Sequence, residues 1–164
     1  MAVGDSGTIL TSTDGVHWIQ PNYLTAANDL NAVAYGDGVY VAVGGNGWTV
    51  VSGDAINWTS VASPTINNLY SVTYGSSGFA AVGDNGTILN IIIPKFGPLV
   101  VLPSDMVQVT VTGGVSQSCL IFYSTDLLNW ALLTTVSLND RGVGQFTDAL
   151  TSVSRFYRAQ AVGP

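Results

Sequence analysis

The sequence has no glutamate, one cysteine, one histidine and very little charge, with four Lys or Arg and ten Asp among its 164 residues. Glu, Lys and Arg usually cover the exposed faces of helices, so their scarcity argues against a helical protein. The 19 glycines, together with abundant Val, Thr, Ser and aromatic residues, are typical of strands joined by tight turns. The composition therefore predicts an all-β fold.

The charge is also unevenly placed, which excludes several classes of function. The net charge is −6 and all four bases lie after residue 94, so no basic patch is available for nucleic acid or an anionic membrane. A single cysteine excludes a disulfide within the chain and a cysteine-rich metal site. The most apolar stretch, 89–102, is interrupted by Pro94, Lys95 and Pro98, so we predict no membrane span. The first residues lack a signal-peptide pattern, which indicates a cytoplasmic protein or a mature, trimmed form.

One block of sequence occurs three times, beginning at residues 2, 42 and 81, a spacing of 40 and then 39 residues. A second block, Leu30–Gly36, matches Leu69–Gly75. Residues 30–62 form one complete unit with strands predicted at about 30–35, 39–44, 48–52 and 57–62. Residues 2–20 supply the last three strands of such a unit and residues 69–93 the first three. We call 2–20, 30–62 and 69–93 the first, second and third repeats.

The first two repeats share a Ser-x-Asp-x-x-x-Trp segment, in which Ser and Asp can accept N–H bonds at a turn and Trp can bury its ring between repeats. The segment resembles the Asp-box hairpin of sialidase-like and photosystem II assembly-factor-like β-propellers. The resemblance covers residues 1–93 and implies a propeller-like array of four-stranded repeats in which the boxes are structural. The residues concerned are Ser12, Asp14, Trp18, Ser52, Asp54 and Trp58.

The repeats add up to about ten strands, which is too few for the four or more sheets of a closed propeller. Exposed strand edges are normally protected by charge or proline, but residues 1–63 contain no Lys or Arg and only Pro21. We expect either a fragment or an array completed by another copy of the chain.

After a predicted linker at 94–98, alternating apolar residues predict six or seven short strands, hence a small β-sandwich over 99–164. The segments Tyr123–Trp130, Phe146–Asp148 and Arg155–Ala159 resemble an immunoglobulin-like or fibronectin-III-like C-terminal module of secreted bacterial proteins. This resemblance implies an extracellular or cell-surface location and no chemistry. The module also contains a box-like Ser124, Asp126 and Trp130, which we interpret as convergent turn chemistry.

Residues for catalysis or metal binding are scarce. His17, the one candidate base, occupies a turn position that is Asn57 or Asn129 in the other boxes, and no Arg precedes Arg141 to hold a sialidase substrate. Asp5 and Asp84 each offer only one carboxylate for calcium. We predict no enzyme activity and no cofactor, with calcium a minor alternative.

Four further residues are assigned mainly structural roles. Cys119 is expected in a buried strand, and Arg155 and Arg158 are expected to pair with acids such as Asp148 or to stack on aromatic rings. Trp48 replaces a threonine of the other repeats, which leaves packing, self-association and glycan binding open.

Two functions compete. The first is a non-enzymatic extracellular structural protein whose incomplete repeats associate with other copies of itself into a polymer or surface fibre. The alternative is a binding module, a fragment of a larger secreted propeller protein that recognises a cell-surface protein or a glycan.

Overall fold

The computed structural model describes residues 1–20, 28–76, 78–103, 105–150 and 154–162. The regular elements in these ranges are antiparallel β-strands and three single-turn 3-10 segments, at Asp5–Gly7, Gly45–Gly47 and Asp84–Gly86, which confirms the all-β prediction. The chain divides into two compact units, Met1–Ile92 and Ile93–Pro164. Within these ranges, no helix is both long enough and apolar enough to cross a bilayer.

The described residues of the first unit form three antiparallel sheets, one for each repeat. Their strands are β1 (Ala2–Gly4), β2 (Thr8–Leu10), β3 (Leu30–Gly36), β4 (Val39–Gly44), β5 (Thr49–Ser52), β6 (Thr59–Val61), β7 (Leu69–Gly75), β8 (Gly78–Gly83) and β9 (Ile88–Ile91). The sheet orders are β1-β2, β3-β4-β5-β6 and β7-β8-β9. All four strands predicted for the second repeat are therefore confirmed.

The first repeat differs from its prediction of three strands. After β2, the described residues make a single antiparallel bridge between Thr11 and Ile19 in place of a third strand. Pro21, which stands at the position of Val61 in the second repeat, has no N–H to donate to a longer ladder. Residues 1–20, 28–76 and 78–92 contain no closed ring of sheets.

Successive sheets pack face to face through their first strands. Strand β3 contacts β1 on one side and β7 on the other, and β7 also contacts β4. One core joins Ile9 of the first repeat to Leu30, Ala42 and Val50 of the second. The central sheet is consequently covered on both faces, because the other repeats flank it.

In the second unit, the residues that the structure describes form six strands in two three-stranded sheets. They are β10 (Lys95–Leu102), β11 (Met106–Thr112), β12 (Ser118–Ser124), β13 (Ala131–Ser137), β14 (Val143–Ala149) and β15 (Phe156–Val162). The orders are β10-β11-β14 and β13-β12-β15. Both sheets contribute to one core, which contains Val109, Val111 and Phe146 from one sheet and Cys119, Ile121 and Val136 from the other.

The predicted linker at 94–98 is wrong for most of its length, because residues 95–98 lie in β10. Gly97 and Pro98 lie where the pairing of β10 with β11 shifts register, between Phe96 and Leu99. An edge strand with an irregularity tolerates proline, since the missing N–H need not join the ladder.

Candidate functional site

The three Ser-x-Asp-x-x-x-Trp segments, which we call boxes, form the same turn, each between two antiparallel segments. In the second box, Asp54 Oδ1 accepts the N–H groups of Ile56 at 2.9 Å and Asn57 at 2.7 Å. Ser52 Oγ donates to Asp54 Oδ1 at 3.0 Å and accepts the N–H of Ala55 at 2.9 Å. Equivalent bonds form around Ser12 and Asp14 and around Ser124 and Asp126.

These bonds keep the box carboxylates ionised. The backbone N–H of Asn57 is the main cause that lowers the pKa of Asp54 to about 2, against a smaller opposing effect of burial. The pKa of Asp14 is lowered chiefly by the His17 side chain, and that of Asp126 by the backbone N–H of Asn129. A carboxylate committed to several N–H donors is a turn constituent and not a proton donor near neutral pH.

Each box tryptophan donates its indole N–H to the carbonyl three residues earlier, at 3.2–3.4 Å. The three rings differ in burial. Trp58 packs against the core of the first unit, and Trp130 lies under the Arg158 guanidinium at 4.8 Å. Trp18 is 43% exposed, so the expectation that its ring is buried between repeats is wrong. The second repeat has the first repeat beside it to cover Trp58, whereas the described residues place no sheet on the corresponding side of Trp18.

The single histidine belongs to its box. His17 Nδ1 lies 2.7 Å from Asp14 Oδ2, in the place where Asn57 and Asn129 donate to the acids of their own boxes. The Ser12 hydroxyl is bonded to Asp14. The histidine is therefore used to complete the turn.

Asp84, one of the two acids considered for calcium, has protein partners. Asp84 Oδ1 accepts the Tyr70 hydroxyl at 2.8 Å, and Oδ2 accepts the Asn68 amide at 3.0 Å. Across the described ranges, no three His, Cys, Asp or Glu side chains come together as a metal site would require.

Arg155 pairs with Asp148, as the sequence predicted. Its Nη1 lies 2.7 Å from Oδ1 and 2.5 Å from Oδ2 of Asp148, and the Tyr157 hydroxyl donates to Oδ2 at 2.8 Å. Burial alone would raise the pKa of Asp148, but the bonds from Tyr157, Arg155 and the Ala149 N–H outweigh it and lower the pKa. Burial beside this carboxylate raises the pKa of Tyr157 to about 12. The group fastens β14 to β15 within the second unit.

The remaining sequence candidates lie in packed positions. Arg158 stacks on the rings of Phe122 and Trp130, as predicted, and Cys119 is fully buried, which raises the pKa of its thiol. Trp48 is half-buried against the core of the first unit. A packing role therefore accounts for its position, and its interface role stays a prediction.

The junctions between repeats use residues that the sequence analysis missed. Asp29, just before β3, accepts the Gly45 N–H of its own sheet with its carbonyl at 2.9 Å and the Ser6 N–H of the preceding repeat with Oδ1 at 2.8 Å. Asn68, just before β7, makes the same two bonds, to Asp84 N–H at 2.9 Å and Asn46 N–H at 3.0 Å. Aligning the repeats one residue further upstream would have found this Asp or Asn before Leu.

The described part of the chain leaves one face of the third repeat's sheet uncovered. Val82 is 45% exposed and Ile88 is 77% exposed. At the position of Ile88, the earlier repeats have Ile9 and Thr49, which are 3% and 2% exposed. We call this surface the open face, and it consists of the exposed residues Ser71, Thr73, Ala80, Val82, Ile88 and Asn90.

A cleft of about 480 Å³ lies between the first and second boxes. Its lining includes Ser12, His17, Tyr40, Asp54 and Ile56. The cleft thus places the rings of His17 and Tyr40 and apolar side chains such as Ile56 beside a few polar groups, a combination that small-molecule sites commonly use.

Comparison with models of known protein families and with curated proteins found no match to the chain.

Proposed function

We propose that this chain is a non-enzymatic, extracellular structural protein that self-associates through its open face into a polymer. In this proposal, the first unit is a partial propeller-like array, and the second is a β-sandwich of the immunoglobulin or fibronectin-III type. The observation that carries the proposal is the exposure of Ile88, because the earlier repeats bury the same position under the repeat that follows.

The chemistry of the open face favours association with a similar repeat. Its six residues carry no charge, and charge is the usual protection of an exposed sheet against pairing and stacking. The counterparts of Ala80, Val82 and Ile88 in the second repeat are Val41, Val43 and Thr49, which are almost completely buried where β7 packs against that sheet. A second copy that covered the open face would repeat a contact the chain already makes.

The expected assembly is head to tail. The open face belongs to the third repeat, whereas the other end of the array is the two-stranded sheet of the first repeat, so the two surfaces differ. A contact between unlike surfaces does not close on itself unless the rotation forms a ring, and therefore leads to filaments. Two open faces meeting each other would instead stop at a dimer.

The test is sedimentation velocity over a range of protein concentrations, in wild type and in the Ile88→Asp variant. A charge on the open face has to be desolvated on contact, so we expect wild type to form a growing series of oligomers and Ile88→Asp to stay monomeric. Val115→Asp is the matched control, because Val115 is 65% exposed but lies in the second unit. A monomeric wild type at high concentration would refute self-association, and a single dimer would refute the polymer.

A binding module is the second candidate, supported by the cleft between the boxes. Binding of an oligosaccharide from an immobilised panel, lost in His17→Asn, would favour it. Asn occupies this position in the other two boxes and keeps the bond to the box acid, so His17→Asn removes the ring and preserves the turn. If no oligosaccharide binds, or if binding is the same in His17→Asn, the cleft is not a glycan site.

A further inference from the structure

Among the residues that the structure describes, strand β1 has a neighbouring strand on one side only. In the second repeat, β4 pairs with β5 on one side and β3 on the other, and in the third repeat β8 pairs with β9 and β7. Strand β1 is the counterpart of β4 and β8, and within the described residues it pairs only with β2. We call the unpaired side of β1 the slot.

Two internal examples show what occupies such a slot. Both β3 and β7 follow the pattern Asp/Asn-Leu-x-x-Val-x-Tyr-Gly, over 29–36 and 68–75. Each begins with a buried leucine, and each has a bulge after that leucine, where the register shifts between Leu30 and Ala32 and between Leu69 and Ser71. Two strands with the same pattern thus pair with equivalent strands, β4 and β8, in the same register.

The backbone donors of the slot are arranged as in these examples. The N–H groups of Gly45 and Asp84 donate to the carbonyls of Asp29 and Asn68. Asp5 occupies the equivalent position, and none of the described residues accepts its N–H. The N–H of Gly44 donates to the Trp48 carbonyl, on the side of β4 away from β3. Because N–H groups alternate in direction along an antiparallel strand, the N–H of the preceding Val43 points toward β3. Val3 is the equivalent residue of β1, so its N–H points into the slot.

Gly4 shows the space that is available. A Cβ on Gly44 would overlap the Asp29 carbonyl, and a Cβ on Gly83 would overlap the Asn68 carbonyl. At Gly4, which corresponds to both, a Cβ would meet nothing within 4 Å. Residue 4 is therefore a glycine, as a closely approaching strand would require, but no described residue comes close to it.

We infer that the slot beside β1 binds a separate extended peptide strand with the pattern Asp/Asn-Leu-x-x-Val-x-Tyr-Gly. Main-chain bonds to Val3 and Asp5 give the strand its register, and its leucine occupies the position that Leu30 and Leu69 hold in their own sheets. This is strand addition to an exposed sheet edge, in which alternate side chains set the specificity.

The inference also deepens the proposed polymer, and this step rests on the proposed function. In a bound strand, the backbone carbonyl of the Asp or Asn accepts the N–H of Asp5 in one copy, as the carbonyls of Asp29 and Asn68 accept an N–H within the chain. Its side-chain oxygen is then placed for the Asn85 N–H of the adjoining copy, because Asp29 and Asn68 cap Ser6 and Asn46 in this way. A bound strand therefore strengthens the contact between copies.

The experiment uses an acetylated and amidated peptide of residues 28–36 and the full chain, at a concentration where sedimentation shows monomers. Hydrogen exchange read by NMR should show at least about tenfold slower exchange at Val3 and Asp5 when the peptide is saturating. The same peptide with Leu30→Asp should give no protection. Equal protection by both peptides, or none by either, would overturn the inference while leaving self-association to its own test.

A pair of chain variants tests the register. Gly4→Ala should fold normally, since its Cβ has free space, but it should lose peptide binding at least about tenfold because the methyl group occupies the position of the strand carbonyl. Gly53→Ala is the control, because its Cβ also meets nothing and the equivalent residues Thr13 and Thr125 already carry side chains. Unchanged binding by Gly4→Ala would overturn the inference. Protection of Val3 and Asp5 that appears on self-association without peptide would also overturn it, since the occupant would then be a second copy.

Discussion

The aromatic ring of Tyr74, on β7, lies directly over the α-carbon of Gly36, on β3, and fills the space that a side chain at residue 36 would need. Tyr74 belongs to the third repeat and Gly36 to the second, so the pair joins neighbouring sheets. The equivalent Gly75 has nothing within 4 Å of the position its Cβ would take. A glycine is thus required for steric reasons at residue 36, where another sheet packs against it, but not at the equivalent residue 75, at the open end of the array.

The two glycines should respond differently to the same substitution. Gly36→Ala forces the Tyr74 ring or the β3 backbone to move, which we expect to lower the free energy of unfolding by about 1–3 kcal/mol. Gly75→Ala should change it by less than about 0.5 kcal/mol, because its methyl group meets no neighbour. Urea unfolding of both variants measures the difference. Equal losses would show that the backbone, and not the Tyr74 contact, selects glycine.

The turns formed by the three boxes should make the protein sensitive to acid. The pKa of Asp54 is lowered from 3.8 to about 2 in the folded chain, so the folded state holds its proton less tightly than the unfolded state. The resulting stability is fully present above about pH 5 and is lost as the pH falls from about 4 to 2. Because this turn is largely exposed, we expect its contribution to be only about 1 kcal/mol.

The measurement is the urea midpoint of wild type and Asp54→Asn at several pH values between 2 and 6. We expect wild type to lose more stability than Asp54→Asn as the pH falls, because the variant has no carboxylate at this turn. Asp140→Asn is the control, since the Asp140 side chain makes no hydrogen bond to the described residues. An identical acid response in wild type and Asp54→Asn would exclude the box as its source.

The local parts of this fold could be predicted from sequence. Strand positions in the second repeat followed from apolar alternation and from Asp-Gly and Asn-Gly turns, such as Asp37 and Gly38, which both adopt positive φ. Pairing of Arg155 with an acid such as Asp148 was also expected, as an alternative to stacking on aromatic rings, because the chain has only four bases. Such features depend on neighbouring residues or on composition, and both can be read along one chain.

The contacts between repeats could not be predicted in the same way. Tyr74 and Gly36 are distant in sequence, and neither residue type indicates that one ring covers the other's α-carbon. The exposure of Ile88 could not be predicted from its residue type either, because the equivalent Ile9 is buried. The two positions differ only in that another sheet follows the first repeat. Burial in a repeat array depends on position in the array, whereas the sequence pattern is the same in each repeat.

The ion pair of the second unit should matter more than the stacked arginine beside it. The side chains of Asp148 and Arg155 are 8% and 22% exposed, so Arg155→Met leaves a buried carboxylate without its cation, and we expect a loss of about 3 kcal/mol. Arg158→Met removes only stacking on Phe122 and Trp130 and should cost no more than about 1 kcal/mol. Adding Asp148→Asn to Arg155→Met should restore part of the stability, because the buried carboxylate that had lost its cation is replaced by a neutral amide. Urea unfolding of the four proteins tests this order, and a double variant less stable than Arg155→Met would contradict it.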